Sequence, residues 1–446
     1  MIKLIKNIWF GLGRFIKRYG LGISVTILVG ISIVLSALLW YSVSNPGEMD
    51  ARQEQQEGAK KIVANKPIQA VYDTDRLILN HNHKMTYVVN YRGLANAVSQ
   101  QAYTWKVDPV KSKTYSKKAY VEQIASDNHV VLGYPDDVAG EIVNKDFKSD
   151  LKFPKNTAIN QVVVPLNGEG AILFGDDKHH KIYRAKLKTT ERPIKYKKPT
   201  NTVDVKLIWR NGKTQSFSTS PIHIEKRSYL LESSKIGDVT QNVFEGTNNS
   251  PKVTTQGDKT TYRSGNRQLT LNQKTGGLTL NAYLNQKTPH ALSKKDMLSY
   301  RWLTARTTIP ENMYYFETDN HGRDLNYRLY SDGLPIFNHD VASLVKVAFN
   351  QNQQVEVRFS KFSIQVPLPQ HENRMVTLPD EGTATKKVES YGVKADEIQD
   401  LRVGYEWVNQ GNPDFVNLNP QWFVKTNGRW LPVDQRLKAY KDGGVE

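Results

Sequence analysis

Between Tyr19 and Ser44 the chain carries no charged residue, and the run from Gly20 to Val43 is 24 residues long. No other feature constrains the fold as strongly, because about 20 apolar residues in a helix are enough to cross the hydrocarbon core of a bilayer. Lys3, Lys6, Arg14, Lys17 and Arg18 precede the run without an acid, whereas Glu48, Asp50, Arg52, Glu54 and Glu57 follow it. By the positive-inside rule that asymmetry predicts a cytoplasmic N-terminus and an extracellular remainder, with the protein held in the cell membrane by a single pass. The expected organisation begins with a basic cytoplasmic tail over 1–18, a transmembrane helix over 19–43 and a polar juxtamembrane stalk over 44–66. Asn45-Pro46-Gly47 closes the helix, since proline cannot continue one. A cleaved signal peptide fits less well, because its apolar core runs only about 7–15 residues. Within the span, Gly30, Ser32 and Ser36 are candidate contacts for another membrane helix, small side chains being what lets two helices approach in lipid.

Beyond the stalk the patterning turns to short alternating segments with occasional helical spacing. An N-terminal α+β region is expected over 67–200, with strands such as HVVLGY (129–134), QVVVPL (161–166) and GAILFG (170–175) and helices over 93–105 and 116–126. The Pro-rich basic run ERPIKYKKPTN (191–201) marks its end. A central α+β subdomain is expected over 201–308. It opens with a hairpin at Asn211-Gly212, a pair suited to the positive φ angles of a type I′ turn. Ile236, Val239, Val243 and Phe244 give it one amphipathic helix, and Ser293-Lys-Lys-Asp296 reads as the capping box of another. A β-rich C-terminal subdomain over 309–446 ends in a second Asn-Gly hairpin at Asn427-Gly428. The fold class expected is α+β: a transmembrane helix followed by a multidomain outer part of mainly antiparallel sheets with packed helices.

The chemistry legible in the sequence is sparse. With no cysteine, thiol nucleophiles, disulfides and zinc-thiolate sites are excluded. Ser149-Asp-Leu-Lys152, Ser264-Gly-Asn266 and Lys274-Thr275-Gly276 imitate the motif set of penicillin-binding enzymes. However, Phe153-Pro154 stops any helix that would hold the serine and lysine one turn apart. His81/His83 and His179-His180 lie near aspartates, but in polar turn-like stretches without three ligands at fixed spacing, which favours solvated loop histidines. No catalytic, metal or cofactor site is therefore expected. The net charge of +17 could suit an anionic wall polymer, while the expected extracellular placement argues against nucleic acid. Alternation in LRVGYEWV and PQWFVKTNGRW leaves aromatics on both faces of adjacent strands, making Tyr405, Trp407, Trp422 and Trp430 a candidate partner surface.

Five segments resemble the YycH family: LLWYSVSNP (38–46), YVEQIASDNHVVLGYP (120–135), YRLYSDGLPIF (327–337), LRVGYEWV (401–408) and LNPQWFVKTNGRW (418–430). They recur in order along almost the whole chain; the N-terminal tail departs by being longer and more basic than that family leads one to expect. The resemblance implies a single-pass, non-catalytic regulator that binds a sensor histidine kinase of the WalK (YycG) type governing Gram-positive cell-wall metabolism, together with a YycI-type companion. Alternatives from other classes are an extracytoplasmic wall-polymer-binding protein and a wall-metabolism enzyme.

Overall fold

Apolar side chains let most of the early strands bury at least one face, and nine strands, the exposed Lys111–Thr114 at one edge among them, join in one antiparallel sheet. The computed structural model describes residues 66–443 apart from 248–249, 285–286, 307–309, 320–321, 339–340, 351–352, 370–373 and 410–413, together with Val29 and Ser32. The chain divides into Met1–Asn65 and Lys66–Glu446. In the first unit Val29 and Ser32 are helical and exposed; the second unit contains all the elements that follow.

The first sheet comprises β1 (Arg76–His81), β2 (Lys84–Val88), β3 (Lys111–Thr114), β4 (His129–Ala139), β5 (Ala158–Pro165), β6 (Ala171–Asp176), β7 (Lys181–Lys186), β8 (Thr202–Arg210) and β9 (Lys213–Ser218). Their order is β3-β7-β6-β5-β4-β1-β2-β8-β9. Helices α1 (Ile68–Val71), α2 (Arg92–Ala102), α3 (Lys117–Ile124) and α4 (Gly140–Val143) accompany it. Leu94, Ala95, Val98 and Ala102 form the buried stripe of α2. Ser116 caps α3 by accepting a hydrogen bond from the Ala119 amide, and Tyr120 and Ile124, one turn apart, are buried. Asn211 and Gly212 have φ of 48° and 80°, as the hairpin chemistry predicts. That hairpin stays in the first sheet, with Thr86 opposite Asp204, although the Pro-rich run precedes it.

The second half holds α5 (Ile236–Phe244), α6 (Leu292–Arg306), α7 (Glu381–Ser390) and α8 (Gln435–Lys441). Two short strands, β10 (Ile222–Glu225) and β22 (Met375–Leu378), pair with each other. The remaining strands build a 14-stranded sheet. One arm runs through β12 (Lys252–Gln256), β13 (Lys259–Ser264), β14 (Arg267–Asn272), β15 (Gly277–Tyr283), β20 (Gln354–Ser360), β19 (Leu344–Phe349), β17 (Asp324–Ser331) and β18 (Leu334–Phe337). The other runs through β23 (Asp400–Val408), β24 (Phe415–Thr426), β11 (Arg227–Ser233) and β21 (Phe362–Pro367). The arms meet in the parallel pairing of β18 with β23, while β16 (Met313–Asp319) pairs with β17 and β25 (Arg429–Pro432) with β24. Helix α6 begins at Leu292, so Ser293 lies inside it and Asp296 is fully buried instead of completing a cap.

Among the described residues no helix is long and apolar enough to cross a membrane. The longest, α6, has 15 residues and carries Lys294, Lys295, Asp296 and Arg301, against the roughly 20 apolar residues a span requires. The described residues thus form an α+β fold with no spanning helix among them, which corrects the expected fold class and, with it, the expected single-pass membrane localisation and extracellular topology. The run 19–43, apart from Val29 and Ser32, lies outside the described residues, as do Gly30 and Ser36.

Candidate functional site

A cleft opens where the ends of β1, β2, β8 and β9 face β23 and β24. Asp75, Arg76, Tyr87, Val205, Gln215 and Ser218 line one side; Leu334, Pro335, Leu401, Arg402, Val403 and Trp422 line the other, with Ile222, Ile224 and Glu381 at the flank. Counted together with the open solvent at its mouth, its space is about 750 Å³. Arg402 ties its walls together. Its Nη1 donates to Asp75 Oδ2 at 2.8 Å, its Nε to Asp400 Oδ2 at 2.8 Å and its Nη2 to the Pro135 carbonyl at 3.0 Å. Burial alone pushes the Asp400 carboxyl up, but Arg402 and Lys213 outweigh it and hold it below its usual range. Nearby, Arg210 Nη1 donates to Glu381 Oε1 at 2.7 Å, and the Glu381 amide donates to Ser218 Oγ at 2.9 Å. Burial outweighs that arginine and pushes Glu381 up to about 7.

Next to the cleft, buried polar groups join the two sheets. Asp136 pairs with Lys213, and its Oδ2 accepts from the Thr318 amide at 2.8 Å. Burial opposes ionisation of Asp136, yet Lys213 and the Thr318 amide prevail and lower its pKa. Tyr72 from the first half stacks on Tyr315 at 4.7 Å between ring centroids and shares a 2.8 Å hydrogen bond with Tyr327. Within the second sheet, Lys425 Nζ of β24 donates to Glu317 at 2.8 Å and Asp319 at 2.6 Å, both on β16. Such groups lose hydration when buried, so each ion pair is tolerated only while its partners stay in place. The arrangement clamps and orients. It does not assemble a nucleophile, a base and an oxyanion pocket, since Ser218 Oγ is occupied by a backbone amide and the carboxylates by cations.

Three of the four candidate surface aromatics are buried within the chain. Tyr405, Trp407 and Trp422 are only 1%, 7% and 6% exposed, and Trp430 is half-buried. Val403 lies opposite Trp422 and Trp407 opposite Leu418, which places the first three residues on one face. Tyr405 Oη donates to the Glu225 carbonyl of β10 at 2.9 Å, and Trp422 Nε1 to the Pro379 carbonyl just after β22 at 3.0 Å. The β10–β22 pair is thus the layer that covers Tyr405 and Trp422. Trp430, on the opposite face, packs against Phe316 and Phe337 and donates through Nε1 to Glu317.

The other singled-out motifs are structural. Ser149 Oγ donates to the Trp105 carbonyl at 3.1 Å, while Lys152 sits at φ 52°, off any helix. His83 and His180 occupy left-handed turn positions, and His179 pairs with Asp176 at 2.8 Å. Among the described residues no trio of His, Asp or Glu is placed to hold a metal ion. Sequence reasoning missed Arg402, Asp75 and Lys213. Only Arg402 carried a signal, a charge inside the largely apolar strand β23; Asp75 precedes β1 and Lys213 opens the polar strand β9.

Residues 22–201 match the family description "YycH protein, N-terminal domain", and residues 212–443 match "YycH protein, C-terminal domain". The chain belongs to the YycH family. Its fold is similar to the crystal structure of YycH from Bacillus subtilis, with a TM-score of 0.65 and 14% identity over 83% of this chain and 98% of that one. No curated protein matches the sequence. As a YycH family member, the chain is a non-catalytic regulatory accessory protein of WalK/YycG-type two-component signalling.

Proposed function

We propose that this YycH family chain regulates by direct contact, binding the WalK/YycG-type sensor kinase together with a YycI-type companion and altering how strongly the kinase phosphorylates its response regulator. The supporting observation is the Arg402 clamp, which joins Asp75 of the first half to Asp400 of the second. A clamp of this kind holds two sheets in one fixed relation, which suits presentation of a preformed surface better than turnover of a substrate. The test is co-purification of the tagged full chain with kinase and companion, followed by kinase assays with and without the chain. Stoichiometric recovery and a changed phosphorylation rate are expected. Recovery of neither partner, or an unchanged rate in a complex that does form, would overturn direct regulation.

A further inference from the structure

The register of the long sheet exposes an unfinished apolar row. Leu325, Val347, Val357, Leu280 and Leu269 follow one another across β17, β19, β20, β15 and β14, and each is fully buried. The row continues through half-buried Tyr262 on β13 to Val253 on β12, which is 53% exposed. All five residues of β12 are exposed, and among the described residues β12 pairs only with β13.

The other terminal strands of the two large sheets, β3, β9 and β21, carry the usual protections against an added strand. β3 reads Lys-Ser-Lys-Thr, with no apolar side chain to offer. β9 lies beside α7, whose first amide it binds through Ser218. β21 ends in Pro367, and its pairing with β11 is broken by an irregularity between Tyr229 and Leu231. β12 has neither proline nor bulge, and its register with β13 is continuous from Lys252 to Gln256. On its polar face Lys252 stands directly opposite Arg263 and Gln256 opposite Lys259. Like charges opposite each other across a ladder repel, and among the described residues neither Lys252 nor Lys259 has an acidic partner.

We infer that the free edge of β12 is a docking site for an extended strand of a partner protein in which acidic and apolar residues alternate. The apolar residues complete the row beyond Val253, the acids face Lys252, Lys259 and Arg263, and the partner backbone satisfies the unpaired edge groups. A second copy of this chain fits less well, because antiparallel β12 edges would bring two sets of these three cations together. The surface serves any partner of this chemistry and does not depend on the kinase contact proposed above.

The probe is a fluorescent, end-capped peptide of alternating Glu and Val, titrated against the full chain by anisotropy, with the Lys/Val peptide as control. Saturable binding that weakens as salt rises is expected, with at least a tenfold loss for Val253→Lys and for Lys252→Glu/Arg263→Glu and no binding of the basic peptide. Circular dichroism and sedimentation velocity on each variant separate misfolding and self-association from loss of docking. Val253→Leu, which keeps the apolar row, should bind as the parent does. Failure of the acidic peptide to bind, binding unaltered by the substitutions in folded protein, or a parent dimer that Val253→Lys dissolves would each overturn the assignment.

Discussion

Arg402 and Val253 both lie on strands of the same sheet, yet their surroundings are opposite. The Arg402 side chain is 16% exposed and spans two carboxylates, while Val253 is 53% exposed beside a single neighbouring strand. Around Arg402, burial makes each charge depend on its partners, so stability and the fixed relation of the two sheets are concentrated there. At β12 little is buried and little stability is at stake, which leaves that edge free to vary in what it binds. A regulator built this way keeps a stiff centre and a receptive margin.

The largest effect should come from Arg402→Met, which leaves Asp75 and Asp400 buried without their cation. A loss of about 3–5 kcal/mol is expected for removal of one partner of a buried pair, read from denaturant unfolding of the full chain. A loss comparable to that of a surface substitution would show that the centre is not where stability resides. Gly404→Ala comes next. An added Cβ would lie 2.6 Å from the Phe337 ring and 2.7 Å from the Pro335 carbonyl, at the parallel β18–β23 junction. Overpacking of this kind costs about 1–3 kcal/mol, again measurable by unfolding.

A smaller effect concerns pH. Burial, reinforced by Asp73, pushes Asp146 from 3.8 up to about 7, and burial pushes Glu381 from 4.5 up to about 7 despite Arg210. The folded chain therefore holds more protons than the unfolded chain between those limits. The stability these two carboxyls contribute is complete below about pH 4 and is lost as pH rises through about 7. Asp146→Asn should flatten that part of the stability–pH curve, and an unchanged slope would contradict the shift. The smallest effect belongs to Val253→Lys, for which the unfolding free energy should stay within about 0.5 kcal/mol of the parent while peptide docking is lost.

The sequence made local chemistry legible and long-range chemistry opaque. The Asn211-Gly212 and Asn427-Gly428 turns and the apolar stripe of α5 were readable because each depends on residues a few positions apart. The placement of β8 beside β2 was not, since Thr86 and Asp204 carry no mark of each other. The same holds for the Arg402–Asp75 pair, whose members are separated by 327 positions. Alternation indicated aromatics on both faces of these strands, but it could not reveal that the short β10–β22 pair covers Tyr405 and Trp422. Hydropathy over 19–43 described a composition, and the expected spanning helix is absent among the described residues.

Native-state hydrogen exchange on the full chain tests the contrast between centre and margin most directly. The amides of β23 from Leu401 to Val408 should exchange only through global unfolding, with a free energy that falls in step with overall stability when Arg402 is replaced by Met. Those of β12 from Lys252 to Gln256 should exchange through local opening at far lower cost and remain unaffected by that substitution. Local exchange within β23, or protection in β12 equal to that of β23, would contradict the account.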